Sequence, residues 1–124
     1  AAAPALSPPP PSFDLQAALE RVEGDRELLS EMATLFLSEY PRFMKQLHQA
    51  IADNDAEAIN YAAHTLKGSV GNFVDEEAAA AAYLLEKMGR AGELTQAPAA
   101  LARLESALAR LTPALAKLTT ELAA

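Results

Sequence analysis

The chain contains no cysteine. That excludes disulfides, thiolate metal sites and cysteine nucleophiles. It has two histidines, His48 and His64, too few for a histidine-rich zinc site. No uninterrupted apolar run approaches the ~20 residues needed to span a bilayer. No basic residue precedes Arg21, so the N-terminus lacks the charged start of a signal peptide. Basic residues are outnumbered overall: ten Lys and Arg against seventeen Asp and Glu leave a net charge of −7. That sign argues against a general nucleic-acid binder, which needs a basic face. Neither β-type alternation nor an internal repeat is visible. A soluble, cytoplasmic protein without direct membrane contact is the expectation.

What is present is helical. The 124 residues, 51% of them hydrophobic, suit one domain with one modest core. Residues 1–12, AAAPALSPPPPS, hold five of the eight prolines and read as an extended linker. From residue 13 the periodicity changes. Ser12 or Asp14 can cap a short first helix that ends before Gly24, and Asp25 can cap a second. Leu28, Leu29, Met32, Leu35, Phe36, Phe43, Leu47 and Ile51 follow one helical face, with Pro41 expected to kink the helix without ending it. Asp53-Asn54-Asp55 separates this helix from a third, about 56–72, which buries Ile59, Ala63, Leu66, Val70 and Phe73.

Asp75 caps a fourth, 76–90, carrying Ala79, Ala82, Tyr83, Leu85 and Met88 on its apolar side, with Gly89 and Gly92 bracketing its end. Pro98 suits the first turn of a fifth. There, Leu101, Leu104, Leu108, Leu111, Leu115, Leu118 and Leu122 form a heptad-like seam, interrupted by Pro113. Such a seam serves either a coiled-coil dimer or, on the better reading, packing within an antiparallel bundle. The fold class is therefore all-α: an antiparallel four-helix bundle with an additional short N-terminal helix over 13–124.

The third helix carries the chemistry. With the core direction at Ile59, Leu66 and Val70 fall within ~20° of it, His64 at ~140°, Gly68 at ~180°, Gly71 at ~120° and Lys67 at ~80°. An imidazole, an ammonium and a patch without side chains thus share the outer surface. Glycine within a helix costs ~1 kcal/mol relative to alanine, in a chain that uses alanine freely. The outward Gly68 makes sense if another macromolecule approaches the backbone beside His64. A neutral imidazole is a nucleophile that can carry a covalent group. In-line phosphoryl transfer needs an open approach and charge stabilisation, and Lys67 would supply the latter. A short turn near 73–75 brings residues 84–87 opposite His64, so Glu86 either orients the imidazole or is a solvated surface charge. His48, beside Leu47, has no such setting and reads as a structural or surface residue.

His64-Thr65-Leu66-Lys67-Gly68-Ser69 resembles the signature of histidine-containing phosphotransfer (HPt) domains. Asp53-Asn54-Asp55, Gly71-Asn72-Phe73, and Leu85-Glu86 followed by Arg90 extend the likeness over about residues 13–112. The resemblance implies a phosphorelay carrier that takes a phosphoryl group from a receiver-domain aspartate and passes it to a response regulator. In that family pattern His64 is the residue modified, on Nε2, Lys67 is the phosphate-side lysine, and Gly68 is the small residue that lets the receiver dock. Glu86 matches a glutamate or glutamine that hydrogen-bonds the other imidazole nitrogen. Gly71 belongs to the same docking surface. Lys87 and Arg90 either add positive charge there or merely complement the helix dipole.

The chain departs from many relatives in having Val74-Asp75 after Phe73, where those have a small Gly-Ala pair. It shows no glycine-rich nucleotide box and no receiver aspartate cluster, so ATPase or kinase activity is not expected of it alone. No cofactor is expected in this chain, and the magnesium used in transfer is expected on the partner receiver domain. The linker suggests the C-terminal module of a hybrid sensor histidine kinase, acting as a monomer with that kinase's own receiver and with response regulators. Two other readings stand beside it: a dimerisation module using the Leu101–Leu122 seam, and a chemotaxis-kinase-type phosphoacceptor domain.

Overall fold

A computed structural model describes residues 14–123; the predicted linker, residues 1–12, lies outside them. The described chain forms α1 (Leu15–Arg21), α2 (Arg26–Ala52), α3 (Ala56–Gly71), α4 (Glu76–Ala91) and α5 (Ala97–Ala123). Aspartate starts four of these helices by one device. The side chains of Asp14, Asp25, Asp55 and Asp75 accept hydrogen bonds from the backbone N–H three residues on, at 2.9–3.1 Å, satisfying donors that a helix start leaves without partners. Gly92, at φ +71°, ends α4 in the left-handed conformation that glycine adopts without a steric cost.

Between these stops the long helices pack α2 on α3 and α5, and α4 on α3 and α5, with α1 laid against α2. The four long helices thus close a bundle around one core, with α1 as the additional short element. Leu29, Leu47, Ile59, Leu66, Val70, Phe73, Leu85, Leu104, Leu111 and Leu115 are buried within it. The heptad-like seam of α5 points inward: Leu101 through Leu118 are all buried, and the surface a dimerisation module needs from these leucines is consumed within the bundle. Pro41 and Pro113 each lie inside a continuous helix.

Two sequence expectations are corrected. Leu35 and Leu28 are 60% and 42% exposed. The apolar stripe of α2 is wider than the face that the bundle covers, and these two side chains lie along its edge. On α4 the buried face runs through Ala78, Ala81, Ala82, Leu85, Glu86 and Gly89, not through Tyr83, which is 45% exposed; Ala79 and Met88 are half-buried. Gly89 and Gly92 flank the end of α4 at Ala91 as expected, but Gly89 also has a packing role. It lies inside the helix, where an added Cβ would come within 2.7 Å of Ala56 O and Asn60 N. Only glycine allows α4 to cross the backbone of α3 this closely, and the crossing fixes the relative position of the two helices three residues from Glu86.

The α3–α4 turn adopts its shape despite its sequence. Val74 has φ +54°, a region costly for a β-branched residue. It is held by neighbours on both sides. Val74 N–H bonds Gly71 O at 3.2 Å, Phe73 is buried with its ring edge-on to Phe36 at 5.6 Å between centroids, and Asp75 caps α4.

Candidate functional site

His64 stands on α3 with 65% of its side chain exposed, while the carboxylate facing it, Glu86 of α4, is 5% exposed. His64 Nδ1 lies 2.6 Å from Glu86 Oε2. On the other oxygen, Lys67 Nζ donates to Glu86 Oε1 at 2.7 Å. Arg90, one turn further along α4, brings its guanidinium to 3.4 Å from Oε2. Asn60 of α3 donates to the backbone oxygen of Glu86 at 3.4 Å, a second tie between the helices beside the Gly89 crossing.

These contacts decide which imidazole nitrogen carries the hydrogen-bonded proton. The Lys67 hydrogen bond is the largest influence on Glu86 and lowers its pKa; burial opposes it, and the His64 hydrogen bond with the two positive charges adds to the lowering. The carboxylate is therefore ionised at neutral pH and can only accept. Nδ1 must carry the proton it donates to Glu86, so whenever the ring is neutral its lone pair lies on Nε2. A carboxylate held by cations thus selects one tautomer of an exposed imidazole.

Beside this pair the surface is open. A Cβ on Gly68 or Gly71 would meet nothing within 4 Å, so no packing among the described residues accounts for either glycine. Further round, Met32, Leu35, Phe36, Tyr40 and Phe43 of α2 line an apolar groove with Leu66, Ser69, Asn72 and Phe73. The strongly exposed Leu35 forms part of its wall. On the opposite side, His64 borders a second, shallow groove with Asn60, Tyr61 and Arg90.

The structure brings His64, Lys67, Glu86 and Arg90 together as the sequence suggested, with one change. Lys67 is engaged by Glu86 and is not free beside the imidazole. Lys87 is away from the carboxylate; its ammonium lies 5.4 Å from the centre of the Tyr83 ring. His48 pairs across the bundle with Glu105 of α5 at 2.9 Å, a surface link between α2 and α5. Sequence reasoning missed Leu35 and Tyr83, both assigned to the core. A signal was available for Leu35: Leu28 and Leu35 are seven residues apart on one edge of a stripe already filled by Leu29, Met32 and Phe36.

The model of the Hpt domain family matches residues 31–114, well over half of the chain. The chain belongs to the Hpt family. This Hpt domain is a histidine phosphotransfer carrier of two-component phosphorelays, and its partners are response-regulator receiver domains. Among solved structures it is similar to the histidine-containing phosphotransfer protein B (HptB) of Pseudomonas aeruginosa PAO1, with a TM-score of 0.82 and 24% sequence identity over 90% of this chain and 97% of that one. That likeness bears out the all-helical bundle. The search of curated proteins returned no match. No helix among the described residues is long and apolar enough to cross a membrane.

Proposed function

We propose that His64 is the phosphoryl-accepting residue of this Hpt domain. The observation that carries the reading is the exposed imidazole held through Nδ1 by a buried, ionised carboxylate. Nε2 attacks the phosphorus of a receiver's aspartyl phosphate in line. The N–P bond forms as the P–O bond to aspartate breaks, and the aspartate leaves as a carboxylate. Nδ1 keeps its proton throughout, and the ring becomes a cation that Glu86 stabilises. Transfer to a second receiver runs the same step in reverse. No general acid or base is required, so positioning and charge dominate.

Lys67 is the cation for the phosphoryl oxygens, shared with Glu86. Gly68 and Gly71 admit the receiver's backbone, and the apolar wall at Leu35 supplies contact area beside them. Lys87 and Arg90 give an otherwise acidic domain a locally positive rim for an acidic receiver pocket. The Ala/Pro-rich composition of residues 1–12 is that of an interdomain linker, which supports the finer context of a module of a hybrid sensor kinase receiving its phosphoryl group from that kinase's own receiver.

The test is acid-labile labelling by a phosphorylated receiver domain. Wild type should take the label and His64→Gln should not, while both melt alike. A labelled His64→Gln protein would move the acceptor elsewhere.

A further inference from the structure

Tyr83 is a large aromatic side chain left 45% exposed in the middle of α4, and the core has no use for it. Its ring is nonetheless occupied. Lys67 Nζ lies 5.1 Å from the ring centre and Lys87 Nζ lies 5.4 Å from it, both within the range over which a ring face attracts a cation. Tyr83 precedes Glu86 by three residues and Lys87 by four, spacings that place all three along one side of the helix. Lys67 reaches this side from α3. Its ammonium is therefore held by two groups of α4, the Glu86 carboxylate at 2.7 Å and the Tyr83 ring.

The double hold matters because the carboxylate alone cannot serve both states of the site. A phosphoryl group on His64 Nε2 brings new anionic oxygens that compete with Glu86 for the lysine. A lysine side chain has four rotatable bonds and a strongly hydrated head; while it passes between the carboxylate and the phosphoryl oxygens, a second restraint limits its swing into solvent. A ring face suits this task. Its attraction has little directional demand, so the ammonium can shift from one oxygen to another without leaving it.

We infer that Tyr83 is a positioning residue for phosphoryl transfer: its ring holds Lys67 against the His64–Glu86 pair, so that the ammonium can be shared between the carboxylate and the phosphoryl group on Nε2. The inference rests on His64 being the acceptor. Tyr83 makes and breaks no bond; the bonds exchanged are the P–O bond of the receiver's aspartyl phosphate and the N–P bond at Nε2. Its effect passes through Lys67.

Transfer from a phosphorylated receiver domain is measured for wild type, Tyr83→Leu, Tyr83→Phe, Lys67→Ala and the double variant Lys67→Ala/Tyr83→Leu, with rates at saturating receiver separated from KM. Tyr83→Leu should lower the saturated rate about threefold, the size of a partly exposed cation–ring contact. Tyr83→Phe, which keeps the ring, should restore most of it. In the Lys67→Ala background, Tyr83→Leu should change nothing further. NMR of the unphosphorylated protein supplies a readout independent of transfer. The Lys67 ε-methylene protons should be shifted upfield by the ring in wild type and Tyr83→Phe, and should return to the ordinary lysine position in Tyr83→Leu.

An equal loss in the Lys67→Ala background, a Phe variant as slow as the Leu variant, or an unshifted Lys67 methylene in wild type overturns the inference. If Tyr83→Leu does not fold, the wild-type and Phe spectra and rates still decide. A folded wild type that takes no label overturns the His64 reading itself; a labelled wild type with an unaffected Tyr83→Leu overturns this inference alone.

Discussion

Glu86 Oε2 lies 2.6 Å from His64 Nδ1, and this contact across the α3–α4 interface leaves Nε2 as the imidazole nitrogen not engaged by the carboxylate. Removing the carboxylate frees the ring to rotate and to exchange tautomers. A hydrogen bond to a charged group is worth ~1.5–3 kcal/mol, so Glu86→Ala should slow transfer roughly ten- to hundredfold. Glu86→Gln, whose amide oxygen still accepts from Nδ1–H, should lose less. Nitrogen-15 spectra of the His64 ring check the cause: wild type and Glu86→Gln should show the Nδ1–H tautomer, and Glu86→Ala a mixture.

The same carboxylate makes stability depend on pH. Its native pKa is lowered from the ordinary 4.5, first by the Lys67 hydrogen bond. The unfolded state therefore binds the proton more readily, and the stabilisation is present above 4.5 and lost as pH falls through the lowered native value. Urea midpoints of wild type and Glu86→Gln should differ at pH 7 and draw together as pH falls below 4.5. A gap that stays constant across that range would falsify this origin.

Two glycine-to-alanine changes should act in opposite directions. At Gly68 an added Cβ meets nothing, so alanine should raise stability by ~1 kcal/mol through helix propensity while slowing transfer by obstructing the receiver. At Gly89 an added Cβ would come within 2.7 Å of α3 backbone atoms, and alanine should destabilise by ~1–3 kcal/mol. Melting curves with receiver-transfer rates separate the two; a Gly68→Ala protein with wild-type KM and rate would refute the docking role of that surface.

Leu35 is 60% exposed, so Leu35→Ala should leave stability within ~0.5 kcal/mol of wild type. Its effect should appear in KM for the receiver and not in the rate at saturation. A drop in melting temperature without a change in KM would return Leu35 to a purely structural role.

Val74→Gly should stabilise the domain by ~1 kcal/mol, because the turn holds this residue at φ +54° where a β-branched side chain is strained. Chemical denaturation checks the sign. A destabilised glycine variant would show that the half-buried valine contributes more by packing than it loses by strain.

Much of this protein is local and periodic, and those parts were legible in the residues alone. The aspartate caps, the inward faces of α3 and α5, and the outward direction of His64 and Gly68 follow from spacing at 3.6 residues per turn and from which side chains can satisfy a helix start. The short Phe73-Val74-Asp75 connection also placed Glu86 opposite His64, since a hairpin of helices has little freedom of register.

Tertiary structure decided what periodicity cannot carry. A stripe shows which side of a helix is apolar, not how wide a strip its neighbours cover, and so Leu35 and Tyr83 were assigned inward. The crossing distance at Gly89 depends on two backbones at once. The partner of Lys67 depends on side chains of α3 and α4 meeting at one buried carboxylate, so the lysine expected on the phosphate side also keeps Glu86 ionised.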